Sequence, residues 1–187
     1  MSFLFISVVL PNARAADDCT TYFYNGDHHH DGNPPGNNNE CGGGDHEEGI
    51  LEVFTMGAGF DTVRGHGGAD EIYGNSGNDH LMGGPGRDEV HLGDHADTGD
   101  GGDGDDFVYG AGGSFDVVLG GEGRDHVQDT VADQGDDSFC GNGGLDSYNT
   151  VDNTEESNNI YAQSKEADRI EKDPADQVNW DVGCVYS

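Results

Sequence analysis

An aspartate recurs every nine residues through the middle of this chain, and its neighbours recur with it. Residues 65–91 read GHGGADEIY, GNSGNDHLM and GGPGRDEVH, with glycine first and fourth, aspartate sixth and an aliphatic residue eighth. Aspartate supplies a hard, charged oxygen, and glycine lets a short turn bend so that its carbonyl oxygens point at one spot. Calcium takes six to eight oxygen ligands of these kinds. The spacing therefore predicts repeated binding of a divalent cation.

The aspartate column continues on both sides of these three units. It runs in steps of nine, with one residue inserted between Asp106 and Asp116 and three between Asp125 and Asp137. The residue two before the aspartate is glycine in eight of ten units, and the residue two after it is apolar in nine. The ten candidate metal ligands are Asp61, Asp70, Asp79, Asp88, Asp97, Asp106, Asp116, Asp125, Asp137 and Asp146.

Glycines beside the column complete the predicted metal site by forming the turns. The unit that starts at Leu92 lacks both the glycine and the aliphatic residue, so we expect Asp97 to lack a full site. The last three residues of each unit form a short strand whose middle, aliphatic residue points inward, because strand side chains alternate. The candidate glycines are Gly57, Gly59, Gly68, Gly74, Gly77, Gly83, Gly84, Gly86, Gly101, Gly102, Gly104, Gly120, Gly121, Gly123, Gly135 and Gly144.

Together these columns closely resemble the RTX, or haemolysin-type, calcium-binding repeat G-G-x-G-x-D-x-U-x. The resemblance covers about residues 56–149. It implies an all-β fold, a right-handed parallel β-roll in which two units make one turn. It also implies that Ca²⁺ ions lie between turns stacked on the same edge. The expected partners, two units apart, are Asp61 with Asp79, Asp70 with Asp88, and Asp88 with Asp106.

The composition indicates that folding depends on the cation. The 187 residues include 38 Asp and Glu but only 7 Lys and Arg, for a net charge of -31, and only 32% of residues are hydrophobic. Such a chain repels itself and is typical of disorder unless its carboxylates are neutralised. We therefore expect a chain that is disordered without calcium and folded with it. The same charge argues against nucleic acid or an anionic membrane as partner.

The N-terminal segment predicts export. Residues 2–10 are mostly apolar, and Ala13-Arg14-Ala15 fits a small-x-small cleavage site, so residues 1–15 read as a signal peptide. No other apolar run approaches the length that spans a bilayer. We expect a secreted, extracellular protein with calcium ions and a cell-surface or matrix component as partners.

The flanks of the roll are predicted to be irregular caps over residues 16–55 and 150–187. Four cysteines behind a signal peptide favour two disulfides, and four cysteines allow three pairings. The simplest pairing is Cys19–Cys41 with Cys140–Cys184, one pair on each side of the repeats. The C-terminal arrangement also resembles the ends of exported RTX-like proteins, in which a cysteine of the last repeats faces one near the C-terminus.

The chain lacks the motifs of the common hydrolases, with neither GxSxG nor HExxH present. We therefore predict a calcium-binding protein with a structural, adhesive or matrix role, and no enzyme. One alternative is a remnant or accessory domain of a secreted RTX hydrolase. Another is a transition-metal binder that uses the run His28, His29 and His30 beside Asp27 and Asp31.

Overall fold

The computed structural model describes residues 28–31, 39–41, 51–110, 112–113, 115–129, 137–150, 158–162, 169–172, 174 and 176–180. All regular structure in these ranges is strand. The strands are β1 His28–Asp31, β2 Asn39–Cys41, β3 Glu52–Thr55, β4 Thr62–Arg64, β5 Glu71–Tyr73, β6 His80–Pro85, β7 Glu89–His91, β8 Thr98–Asp103, β9 Phe107–Tyr109, β10 Val117–Gly123, β11 His126–Gln128, β12 Ser138–Gly144, β13 Ser147–Thr150, β14 Asn159–Ala162, β15 Arg169–Lys172 and β16 Gln177–Trp180.

Successive strands go alternately to two parallel sheets, so the chain winds as a solenoid. The first sheet has the order β1-β3-β5-β7-β9-β11-β13-β15, and the second has β16-β14-β12-β10-β8-β6-β4-β2. Every strand pairs in parallel with the strand two places along the chain; Ile72, for example, lies opposite Val90, eighteen residues later. The predicted all-β parallel solenoid is confirmed.

The core is the aliphatic column of the sequence, stacked one residue per strand. In the three-residue strands β4, β5, β7, β9 and β11 only the middle residue is buried, as in β5, where Ile72 is buried and Glu71 and Tyr73 face outward. This alternation leaves a single apolar stack between the sheets. The column residues Val63, Ile72, Leu81, Val90, Val108, Val118, Val127, Phe139 and Tyr148 are at most 1% exposed.

In the unit that starts at Leu92, a residue from outside the aliphatic column fills the core. Gly99 stands where other units place an aliphatic residue, and it leaves space in the stack. Leu92, which occupies the first position of that unit in place of glycine, is fully buried. Its Cδ2 would lie 2.5 Å from a Cβ atom added at Gly99. The missing aliphatic side chain is therefore replaced by Leu92.

The described strands stay in register across both insertions. Val117 lies opposite Thr98, nineteen residues earlier, and Ser138 lies opposite Val117, twenty-one residues earlier. The extra residues fall between Gly110 and Asp116 and between Asp129 and Asp137, outside the strands.

The prediction of irregular caps is wrong for the parts of both flanks that the structure describes. Strands β1 and β2 pair with β3 and β4, and β14, β15 and β16 continue both sheets at the other end. The reason is that the inward alternation persists: Phe54 and Ile160 are fully buried in the stack, and Ile170 and Val178 pack against it.

Disulfide-pinned caps are not supported by the described residues, because Cys19 and Cys184 lie outside them. The cysteine pairing therefore stays a prediction. The signal peptide over residues 1–15 also lies outside the described residues. Within those residues, no helix has the length and apolar character to cross a membrane.

Candidate metal centre

The aspartates form two ladders, one along each edge of the solenoid. We call the acidic or amide residues at the start of the strands of the first sheet, or directly before them, the first ladder, and the corresponding residues of the second sheet the second ladder. In each rung a backbone N–H donates to Oδ1 of the residue one turn later, at 2.6–3.2 Å. The first ladder is Glu52, Asp70, Asp88, Asp106, Asp125 and Asp146, and the second is Asp61, Asp79, Asp97, Asp116, Asp137, Asn158 and Asp176.

In most rungs the second carboxylate oxygen is turned into the edge, whereas at Asp176 it accepts a hydrogen bond from the Thr150 hydroxyl at 2.7 Å. The Asp70 N–H donates to Oδ1 of Asp88 at 2.8 Å, and the Asp88 N–H donates to Oδ1 of Asp106 at 2.8 Å. The Oδ2 atoms are buried and accept no hydrogen bond in the described part of the chain at Asp70, Asp79, Asp88, Asp97, Asp106, Asp116 and Asp125. Burying an unpaired carboxylate oxygen is costly, so a row of them calls for a cation.

The turns before each aspartate are bent by two residues with positive φ, at the second and fourth positions of the unit. At the second position, φ is 67° at Asn75 and 108° at Gly102. At the fourth position it is 141° at Gly77, and a Cβ atom there would lie 1.5 Å from the carbonyl oxygen of Gly59. The glycines are therefore required both for the backbone angle and for the close stacking of one turn on the next.

This stacking brings carboxylate and carbonyl oxygens to the same space. A Cβ atom added at Gly83 would lie 2.5 Å from Oδ2 of Asp88 and 2.6 Å from the carbonyl oxygen of Gly101. A Cβ atom at Gly101 would likewise lie 2.8 Å from Oδ2 of Asp106 and 2.5 Å from the carbonyl oxygen of Gly120. The first position of the unit thus borders a small space lined by one carboxylate oxygen and one carbonyl of the next turn.

Burial controls the charge of the ladders in the absence of a cation. Loss of water around the carboxylates raises the pKa of Asp88 and Asp106 to about 7 and that of Asp116 to about 8. The backbone N–H of the preceding turn lowers each pKa, and a neighbouring ladder carboxylate raises it. Asp79 is less affected, with a pKa raised to about 6. Near neutral pH these raised pKa values leave Asp88, Asp106 and Asp116 partly protonated in the metal-free roll, and a bound cation would take the proton's place.

The residue types in the ladders suit a hard cation. No three His, Cys, Asp or Glu side chains cluster as a metal site anywhere in the described ranges. The ladders instead combine single carboxylates with backbone carbonyls, which are the oxygen ligands calcium accepts at flexible geometry. The orphaned Oδ2 atoms and the carbonyl-lined space therefore fit Ca²⁺ well.

The structure brings the predicted partners together. All ten predicted aspartates lie in the ladders, and the three predicted pairs are neighbouring rungs. Asp97, for which we expected an incomplete site, keeps the hydrogen bond of the ladder, because the Asp79 N–H donates to its Oδ1 at 2.7 Å. Of the predicted glycines, Gly135 lies outside the described residues.

Four residues that line the two edges were not among the predicted site residues. Gly65 and Gly141 stand at the first position of their units, and Cβ atoms there would lie 2.5 Å and 2.0 Å from Oδ2 of Asp70 and Asp146. Asn158 and Asp176 extend the second ladder past the repeats. Asp176 carries a signal, an aliphatic residue two places later, whereas Asn158 replaces the expected aspartate and could be found only from Ile160. The side chains of His28–His30 lie outside the described residues.

The structure is a parallel β-solenoid whose stacked turns place carboxylate and carbonyl oxygens close together along both edges. Residues 57–90 and 91–127 match the family model of the RTX calcium-binding nonapeptide repeat, a model of four copies. Residues 57–127 therefore carry RTX calcium-binding nonapeptide repeats. No curated protein and no solved structure matches the chain.

Proposed function

We propose that this chain is an exported protein that folds when Ca²⁺ binds the two ladders, and that it has a structural, adhesive or matrix role outside the cell. The ions would be held by the ladder Oδ2 atoms and by turn carbonyls such as those of Gly83, Gly101 and Gly120. Bound Ca²⁺ neutralises carboxylates and crosslinks successive turns. We propose no catalytic role.

The observation that carries this proposal is the set of seven buried Oδ2 atoms, four on the first ladder and three on the second, that accept no hydrogen bond from the described residues. In a chain with a net charge of -31, such a set opposes closure of the roll until cations neutralise it. Because no such site exists in the unfolded chain, the free energy of binding contributes directly to folding. Calcium modules that work outside cells bind at about 10⁻⁴–10⁻³ M, which suits folding after export.

A calcium titration followed by far-UV circular dichroism tests the proposal, with magnesium as control. We expect a cooperative rise of β signal at submillimolar to millimolar calcium that a chelator reverses and magnesium does not produce. Magnesium demands a tighter octahedral shell and gives up its water reluctantly, so loose carbonyl turns suit it poorly. A chain fully ordered in chelator, or unordered in calcium, contradicts the proposal.

Export is tested separately by mass spectrometry of the mature protein. Cleavage after Ala15 would leave Ala16 as the first residue, as expected from the small-x-small pattern before it. Intact mass would also report the cysteines, because two disulfides lower the mass by four hydrogens relative to the reduced chain. An uncleaved N-terminus in the exported protein contradicts the proposed signal peptide.

A further inference from the structure

The rare basic residues of this chain gather in one groove on the outer face of the first sheet. The groove has a volume of about 430 Å³ and is lined by Arg87, Arg124 and Arg169. These are three of only 7 Lys and Arg in the whole sequence. Within the described residues, the guanidinium groups of Arg87 and Arg124 form no ion pair, whereas Arg169 pairs with Glu171. A concentration of cations on so acidic a chain is a local feature that the calcium ladders do not explain.

The solenoid register assembles this groove from distant parts of the sequence. Phe107, His126, Ser147 and Arg169 lie opposite one another on β9, β11, β13 and β15. Arg87 and Arg124 occupy the same column of their units, two turns apart, which is about 10 Å at the usual spacing of adjacent strands. An unfolded chain has no such groove.

The groove also contains aromatic and apolar side chains beside the charges. The Arg87 guanidinium carbon lies 4.9 Å from the centroid of the Phe107 ring, and the rings of Phe107 and His126 are 5.6 Å apart. Leu145 adds an exposed apolar side chain, with 50% of its surface accessible. The exposed carboxylate of Asp105 and the Ser147 hydroxyl also line the groove. The Arg87 guanidinium lies over the Phe107 ring, so the groove combines guanidinium groups for anions, polar groups for hydroxyls and the exposed Leu145 for an apolar contact.

This combination selects among anionic ligands. A long nucleic acid would meet the net charge of -31 beyond the groove. A peptide bound as an added strand needs an open sheet edge, yet β9, β11 and β13 are each paired on both sides. A short sugar chain needs no such edge, and it presents hydroxyls and apolar ring faces together. We propose that this groove binds a short acidic oligosaccharide whose carboxylate or sulfate groups pair with Arg87 and Arg124.

This inference rests on the proposed calcium-dependent folding. Asp125 and Asp146 of the first ladder also line the groove, so their charge must be neutralised before an anionic ligand approaches. Calcium would therefore act twice, by assembling the groove and by neutralising the two ladder carboxylates that line it, whereas Asp105 lies outside the ladders.

Isothermal titration calorimetry of the calcium-loaded full chain tests the groove. The probes are a trimer of uronic acids, its methyl ester and a sulfated disaccharide. The variants are Arg87→Gln, Arg124→Gln and the two together. Arg64→Gln is the matched control for each single change, because Arg64 is an exposed arginine on β4 in the second sheet. Circular dichroism of each sample reports calcium-induced folding independently of ligand binding.

We expect the acidic trimer to bind and the methyl ester to fail, since only charged groups pair strongly with guanidinium. The double variant should bind at least about tenfold more weakly, and Arg64→Gln should bind as the parent does. Arg87→Lys keeps the charge but loses the planar fork, so it should bind with intermediate strength. Comparing the trimer with the sulfated sugar shows which anionic group is preferred.

Three results overturn the inference. A folded calcium form that binds neither acidic probe removes the groove as a site and leaves the proposed function standing. Equal weakening by Arg64→Gln reduces the effect to net charge. Absence of calcium-induced folding overturns the proposed function and the groove with it. Uronates themselves bind calcium, so a loss of binding after calcium removal would not be specific for the groove. The comparison of the arginine variants with Arg64→Gln therefore decides the outcome.

Discussion

The backbone N–H of Asp88 donates a 2.8 Å hydrogen bond to Oδ1 of Asp106, which lies eighteen residues later in sequence and one turn later in the solenoid. The bond fixes the Asp106 carboxylate and leaves its Oδ2 buried without a hydrogen-bond partner in the described structure. One oxygen of each such aspartate thus holds the fold, and the other is available to a cation. This division of labour makes the two roles separable by substitution.

Asp106→Asn should weaken calcium binding while keeping the rung. The amide oxygen can still accept from the Asp88 N–H, but the charge on the edge is lost. We expect the calcium midpoint of the β signal to rise at least about tenfold. The matched control is Asp103→Asn, which removes the same charge from an exposed position at the end of β8. If both variants shift the midpoint equally, net charge governs folding and the ladder has no special role.

Gly102→Ala should destabilise the calcium form through the turn. Gly102 has a φ of 108°, and a Cβ atom there would lie 2.2 Å from the carbonyl oxygen of Gly84. Strain of this kind costs about 1–3 kcal/mol before the clash is counted. Chemical unfolding in saturating calcium measures the loss. The control is Gly110→Ala, where the nearest atom to the new Cβ is 3.4 Å away. Equal stability of the two variants contradicts the stacking argument.

The sequence predicts the ladders well because the unit repeats at a fixed spacing. Partners such as Asp88 and Asp106 follow from a two-unit turn, and the buried column follows from the alternation of strand residues. The nine-residue spacing does not predict a residue that takes over the role of another position in the unit. Leu92 stands in a glycine position and fills space at Gly99, which only three-dimensional packing reveals. Asn158 continues the second ladder although the repeat calls for aspartate.

The groove was also beyond the reach of sequence reasoning. Arg87 and Arg124 share a column, but the insertion between their units hides the common register. Arg169 lies outside the nonapeptides altogether. Only the pairing of β15 with β13 brings it beside them.

Leu92→Ala and Gly99→Ala should be strongly coupled. Leu92→Ala opens a cavity in the stack and should cost about 2–5 kcal/mol of stability in calcium. Gly99→Ala alone should destabilise, because the new Cβ would lie 2.5 Å from Leu92 Cδ2. In the Leu92→Ala background the same change fills vacated space and should stabilise. Unfolding of the four proteins gives the coupling energy, and additive effects would mean that Leu92 does not substitute for the missing side chain.

Acid should order the calcium-free chain and weaken its response to calcium. The pKa of Asp88 and Asp106 is raised by burial from 3.8 to about 7 in the folded form, so the fold holds protons that the unfolded chain releases. The free energy of unfolding of the metal-free roll therefore falls as pH rises from about 4 to 7. Calcium must displace these protons, so its apparent affinity rises over the same interval. Circular dichroism at pH 5 and pH 8, in calcium-free buffer and during calcium titration, measures both effects. We expect more β signal at pH 5 without calcium and a lower calcium midpoint at pH 8; a metal-free signal that grows with pH contradicts the burial of these carboxylates.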